Sequence, residues 1–102
     1  SPMSELAALR QAAALSPENV PLLLLYGQAC LNEFAFDEGR AAFEKANALA
    51  PKDPAPKLGI CRALHLMGRS SEAIIRAEAL IGDLIFARTR AESMESPTSM
   101  LR

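Results

Sequence analysis

Residues 14–19 read ALSPEN and residues 48–53 read ALAPKD, and this pair of matching stretches decides the fold. Each one places a proline and polar residues after a segment rich in alanine and leucine, which is typical of a helix that ends before another begins. The two stretches lie 34 residues apart, and the same shift superimposes Ala8 on Ala42. A period of about 34 residues is typical of tandem helix-hairpin repeats.

The composition predicts one all-α domain. The chain has 102 residues, no tryptophan and only 5% aromatic residues, a balance that favours helices over a β-sandwich. The formal net charge is -1, so the positive field that nucleic-acid binding requires is missing, and no nucleic-acid partner is expected. The longest apolar run, residues 20–26, is shorter than the roughly 20 residues that cross a bilayer. We therefore expect no membrane partner and a cytoplasmic location.

Local signals predict five helices, at about residues 4–15, 20–33, 37–49, 54–67 and 71–91. The side chains expected to cap helix starts are those of Asn19, Asp37, Asp53 and either Ser70 or Ser71. Gly68 should end the fourth helix in a left-handed conformation. The fifth helix should be long, because Ile85 stands where the earlier hairpins have a proline. Residues 1–92 should form a single domain, and the polar residues 93–102 a frayed tail.

Small residues at regular positions predict where helices approach closely, namely Gly27, Ala29, Ala42, Ala46, Ala63 and Ala73. Larger apolar residues should fill the space between the helices, namely Leu23, Tyr26, Phe43, Ile60 and Leu64.

The first complete hairpin resembles the tetratricopeptide repeat. The residues that carry the resemblance are Leu23, Tyr26, Gly27, Cys30, Gly39, Phe43, Ala46 and Pro51. Their spacing follows the family pattern of Trp-x2-Leu-Gly-x2-Tyr, then Ala-x3-Phe, then Pro, although four of the residue types differ. A half copy precedes this hairpin and a degenerate copy follows it. The resemblance covers about residues 4–85 and implies a right-handed α-solenoid that serves as a non-enzymatic adaptor or scaffold for protein binding.

The resemblance also implies a partner-binding groove on the concave side, lined by the first helix of each hairpin. Projected onto this chain, the groove consists of Leu24, Gln28, Leu31, Asn32, Leu58, Arg62 and His65. Its apolar character predicts a helical or extended peptide segment as the ligand. One subset of the family grips a terminal carboxylate with Lys and Asn, but Leu24 and Gln28 occupy those positions here, so that ligand is not expected.

Three alternatives to an open groove remain at this stage. The C-terminal helix could fill the groove, because Ile74, Ile81, Leu84 and Phe86 must be buried somewhere. The domain could instead have a structural role as a homo-oligomer, for example a homodimer in which the ends of a short stack pack against another copy. It could also be the regulatory domain of a larger enzyme.

The sequence offers little for catalysis, a metal or a cofactor, and none of the three is expected. Cys61 and His65 are four residues apart, a spacing that metal sites use, and Cys30 falls nearby in a stacked arrangement. Two or three such ligands do not complete a site, and buried reduced thiols explain the cysteines better. As a nucleophile, Cys61 would need an orienting group and an oxyanion donor that the sequence does not supply. No glycine-rich phosphate loop occurs either.

Overall fold

The computed structural model describes the backbone of residues 3–100 and the side chains of residues 3–94, and this range contains five α-helices and no strand. The helices are α1 Glu5–Leu15, α2 Val20–Asn32, α3 Phe36–Leu49, α4 Pro54–Leu66 and α5 Ser70–Met100. The predicted all-α class is confirmed. The predicted bounds agree with the structure to within one residue except at the end of α5.

The predicted caps of α2 and α4 are confirmed. The Asn19 side chain accepts a hydrogen bond from the backbone N–H of Leu22 at 3.2 Å, and Asp53 accepts one from Ala55 at 3.0 Å. Each bond satisfies one of the amides that the start of a helix leaves without an intrahelical acceptor.

The predicted caps of α3 and α5 are wrong, because both helices begin one residue earlier than expected. Ala35 occupies the N-cap of α3 and makes no side-chain cap bond, while Asp37 lies in the first turn. A carboxylate there still interacts favourably with the helix dipole. Ser70 is the first residue of α5, and its Oγ lies 3.2 Å from Nδ1 of His65.

Two tight turns explain the early starts of α3 and α5. Gly68 has a φ of 81°, as predicted, and Phe34 has a φ of 64° at the equivalent position one repeat earlier. In the first turn, the backbone N–H of Ala35 donates to the carbonyl of Cys30 at 2.8 Å, and an equivalent bond closes the second turn. This closure is the usual way in which a left-handed residue ends a helix. The next helix then begins two residues after the left-handed one.

The helices pack in chain order, each against the next, and α2 also packs against α4. All six of the small residues predicted at close approaches are buried. The largest core cluster joins α2, α3, α4 and α5 and contains Leu31, Phe43, Ile60, Ala63, Leu64 and Ala73. The core therefore lies along the seams between consecutive helices.

The last helix, α5, extends well beyond the rest of the molecule. Its first half packs on α4 through Ala73 and Leu80, which are both buried. Every side chain from Ile81 to Met94 is exposed. The backbone stays helical to Met100, so the helix continues past the expected end near residue 91 and through most of the predicted tail. Residues 101 and 102 lie outside the described part of the chain.

No Cα atom of α5 in the described range lies within 8 Å of a Cα atom of α2. The alternative in which the C-terminal helix fills the groove over α2 and α4 is therefore wrong. The reason is that α5 continues the order of packing and lies beside α4, so it does not fold back across α2.

Candidate functional site

The surface shared by α2 and α4 is the candidate binding site. Nη1 of Arg62 donates a hydrogen bond to Oε1 of Gln28 at 2.6 Å, across the two helices. Nε2 of Gln28 in turn donates to Oδ1 of Asn32 at 2.9 Å. The structure thus brings together two predicted groove positions that are 34 residues apart. A chain of polar side chains crosses this surface from α4 to α2.

Most of the predicted groove residues lie on this surface. Leu58 is 52% exposed, and Asn32, Arg62 and His65 are exposed beside the half-buried Gln28. Because Leu58 and Arg62 are four residues apart on α4, they occupy the same face of that helix.

Two of the predicted leucines belong to the core more than to the surface. Leu31 is only 4% exposed and packs with Phe43, Ile60 and Leu64, so it cannot contact a partner. Leu24 is half-buried and packs against two of the core clusters. Residues that line a groove and residues that pack between the same two helices lie on nearly the same face of a helix. Helical periodicity therefore does not distinguish a groove position from a core position.

The surface shared by α2 and α4 continues, at Arg62 and His65, into a cleft between α4 and α5 that the sequence analysis did not predict. The cleft has a volume of about 390 Å³ and is lined by Cys61, Arg62 and His65 of α4 and by Ala73, Ile74 and Ala77 of α5. Ala77 follows Phe43 by 34 residues, and Phe43 packs with Gly27 and Leu31, which are equivalent to Cys61 and His65 one period later. That shift from a large to a small residue was the signal available in the sequence.

A second polar cluster ties the first three helices together. Arg10 of α1 donates two hydrogen bonds to the carboxylate of Glu38 of α3, at 2.7 and 2.9 Å, and the hydroxyl of Tyr26 on α2 donates to the same carboxylate. These hydrogen bonds, above all those from Arg10, lower the pKa of the Glu38 carboxyl. Burial, and then the neighbouring carboxylate, raise the pKa of Tyr26 to about 12. Helical spacing does not reveal this cluster, because Arg10 and Tyr26 are distant from Glu38 in the sequence.

The Glu38 cluster predicts a specific loss of stability in acid. A carboxyl whose pKa is lowered by folding stabilises the native state above its ordinary value of 4.5, and this stabilisation disappears as the pH falls through the folded value. We expect Glu38→Gln to lower the melting temperature at neutral pH, and the difference from the parent to shrink below pH 4.5. Thermal melts over a pH series measure this difference in melting temperature. Glu18→Gln, at an exposed carboxylate between α1 and α2, is the control. A deficit for Glu38→Gln that persists unchanged in acid would contradict the prediction.

The two cysteines are free, Cys30 being fully buried and Cys61 half-buried. Burial raises the pKa of the Cys30 thiol to about 11 and also raises that of Cys61. A reactive cysteine needs the opposite shift, because the thiolate is the nucleophile. The Nδ1 atom of His65 lies within hydrogen-bond distance of Ser70 Oγ. Over the described residues, no three His, Cys, Asp or Glu side chains are grouped so that they could hold a metal ion.

None of the helices in the described range combines the length and apolar character needed to cross a membrane. Comparison of this chain with protein-family models, with curated proteins and with solved structures finds no match.

Proposed function

We propose that this chain is a tetratricopeptide-like, non-enzymatic interaction module that binds a helical or extended segment of another protein on the face formed by α2 and α4. The proposal includes a right-handed stack of helix hairpins. Support for it comes from the order of packing, in which α4 contacts both helices of the preceding hairpin, and from the bond between Arg62 and Gln28 across one period.

The observation that carries the proposal is the uncovered apolar surface on α4 beside a polar chain. Leu58 and Leu66 are each about half exposed, with Arg62 between them on the same helix. Because α5 does not approach α2, it leaves Leu58 and Leu66 uncovered on this face. Burial of a leucine such as Leu58 contributes on the order of 1.5 to 3 kcal/mol, and the guanidinium can pair with an acidic or carbonyl group at the edge.

The groove is tested in two steps, of which the first identifies the bound protein. A photoreactive amino acid at position 58, introduced into the chain in its native cell, should cross-link one specific partner. The same amino acid at position 45 is the control, because Lys45 lies in a separate cleft with residues of α1. Equal cross-linking of that partner from both positions would count against the groove.

The second step measures the affinity of that partner for groove variants. We expect Leu58→Asp to weaken binding at least about tenfold, because the charge must be desolvated against an apolar ligand. Arg62→Glu should weaken binding and change its dependence on salt. Lys45→Glu should leave the affinity and its dependence on salt unchanged. Leu24→Asp is unsuitable as a probe, because Leu24 packs against the core and its replacement would also destabilise the domain. Unaltered affinity in both groove variants, with melting temperatures close to that of the parent, would refute the proposal.

A further inference from the structure

Beyond Leu80, α5 carries several large apolar side chains that are largely exposed. Ile81, Leu84, Ile85 and Phe86 are each about half exposed or more, and the residues that follow them to Met94 are exposed as well. An isolated helix is marginally stable in water, and most helices in proteins are stabilised by packing of an apolar face. Large exposed apolar side chains grouped on one element mark an interaction surface.

One stripe of α5 has the spacing of a helix-helix seam. Its members are Ile74, Glu78, Ile81, Ile85 and Arg88, and successive members are alternately four and three residues apart. Residues with this spacing lie along one side of a helix, and the spacing is that of the contact seam in coiled coils. We call these five residues the α5 seam.

The α5 seam is distinct from the side of α5 that packs on α4. That side contains Ala73 and Leu80, which are buried, whereas Ile74 and Ile81 are each more than half exposed. At 100° per residue the two sides are roughly a quarter turn apart. A second helix can therefore lie on the α5 seam without displacing α4, and at Ile74 it would also cover the cleft between α4 and α5.

The charged residues of the α5 seam favour a second copy of α5 as its partner and an antiparallel orientation of the two helices. If a second copy of α5 lies antiparallel, with the two-fold axis at the level of Asp83, then Ile81 faces Ile85 of the second copy. In the same register, Glu78 faces Arg88 of the second copy, and the symmetric pair forms at the other end. A parallel pairing would instead set Glu78 against Glu78 and Arg88 against Arg88. Like charges that face each other within the seam are destabilising, whereas polar residues at seam positions fix the register of pairing at a cost in stability.

The present contacts of the two charged residues leave them available for this pairing. Glu78 is exposed and forms no ion pair within the described residues. Arg88 pairs with Glu92 one turn away at 3.0 Å, and both side chains are more than half exposed. Exposed ion pairs of this kind contribute little to stability, so the Arg88 side chain can adopt a second partner at small cost.

We propose that two copies of this chain associate through the α5 seam as an antiparallel, two-fold symmetric dimer with an isoleucine centre flanked by two Glu78–Arg88 pairs. A two-fold interface uses the same surface on both copies, and Glu78, Ile81, Ile85 and Arg88 are placed symmetrically about Asp83. The antiparallel direction places the two α1–α4 bodies toward opposite ends of the paired helices. The extended half of each α5 is then supported by the first half of the other.

Sedimentation analysis and light scattering of the full chain over a wide concentration range test the proposal. We expect a reversible monomer–dimer equilibrium. Ile81→Asn should raise the dimer dissociation constant by about tenfold or more, because it removes an apolar contact at two symmetric places. Ile75→Asn is the matched control: Ile75 is 68% exposed on another side of the same helix, and its replacement should leave association unchanged.

Charge reversal tests the direction of pairing. Glu78→Arg and Arg88→Glu should each weaken self-association, since like charges then face each other. The double variant should restore it, and an equimolar mixture of the two single variants should form a heterodimer. A monomer at all concentrations, a dimer that Ile81→Asn leaves intact, or single charge reversals without effect would each overturn the proposal. The last of these results would indicate a different direction of pairing.

Discussion

Phe43→Ala is expected to lower the free energy of unfolding by about 3 to 5 kcal/mol, as is usual for loss of a buried aromatic ring. Phe43 is only 4% exposed and lies in the core cluster with Leu31, Ile60 and Leu64. Its ring also contacts glycines on two other helices, so that α2 and α4 both close on it. Since a small domain is stable by about 5 to 15 kcal/mol in total, this one change should remove a large share.

Urea denaturation followed by far-ultraviolet circular dichroism measures the loss. Phe34→Ala makes the same chemical change at a ring that is 79% exposed, and we expect a much smaller effect there. If Phe43→Ala unfolds within about 0.5 kcal/mol of the parent, the range typical of surface substitutions, then Phe43 does not centre the core.

Gly59→Ala is the second substitution with a large expected effect. We expect it to destabilise the domain, although alanine has a higher helix propensity than glycine. Alanine normally stabilises the interior of a helix by about 1 kcal/mol relative to glycine. A Cβ at position 59, however, would lie 2.3 Å from Cδ1 of Phe43, and movement of the ring is restricted because Gly27 packs against its tip, where a Cβ would lie 2.7 Å from Cζ. Overpacking of this kind costs about 1 to 3 kcal/mol, so we expect net destabilisation.

Gly82→Ala is the matched control for Gly59→Ala, because nothing lies within 4 Å of a Cβ at that position in α5. It should stabilise the helix, as propensity alone indicates. Adding Gly59→Ala to Phe43→Ala should cost less than adding it to the parent, since the ring it clashes with is gone. Coupling of about 0.5 to 3 kcal/mol between contacting residues is typical. Strict additivity of the two changes would show that Phe43 and Gly59 are not in contact.

The sequence predicted the helices well, because their signals act over a few residues. Asn19 and Asp53 bond to amides within three residues of themselves, and Gly68 adopts its left-handed conformation locally. The 34-residue period also placed position 62 beside position 28, because equal units that pack equally set equivalent residues next to each other. Phe34 shows a limit of the local approach. Its positive φ is not encoded by its own residue type, and only comparison with Gly68 one period later reveals it.

The sequence by itself therefore determined the all-α class and the helix bounds up to the start of α5. It also determined that equivalent positions one period apart lie next to each other. The tertiary structure alone decided which face of each helix is covered. It buried Leu31 in the core, joined Glu38 to Arg10 28 residues away, and left Ile81 and Ile85 of α5 exposed. The physical reason is that caps and turns depend on interactions within one or two turns of the chain, whereas burial and ion pairing depend on which distant segment arrives at a given face.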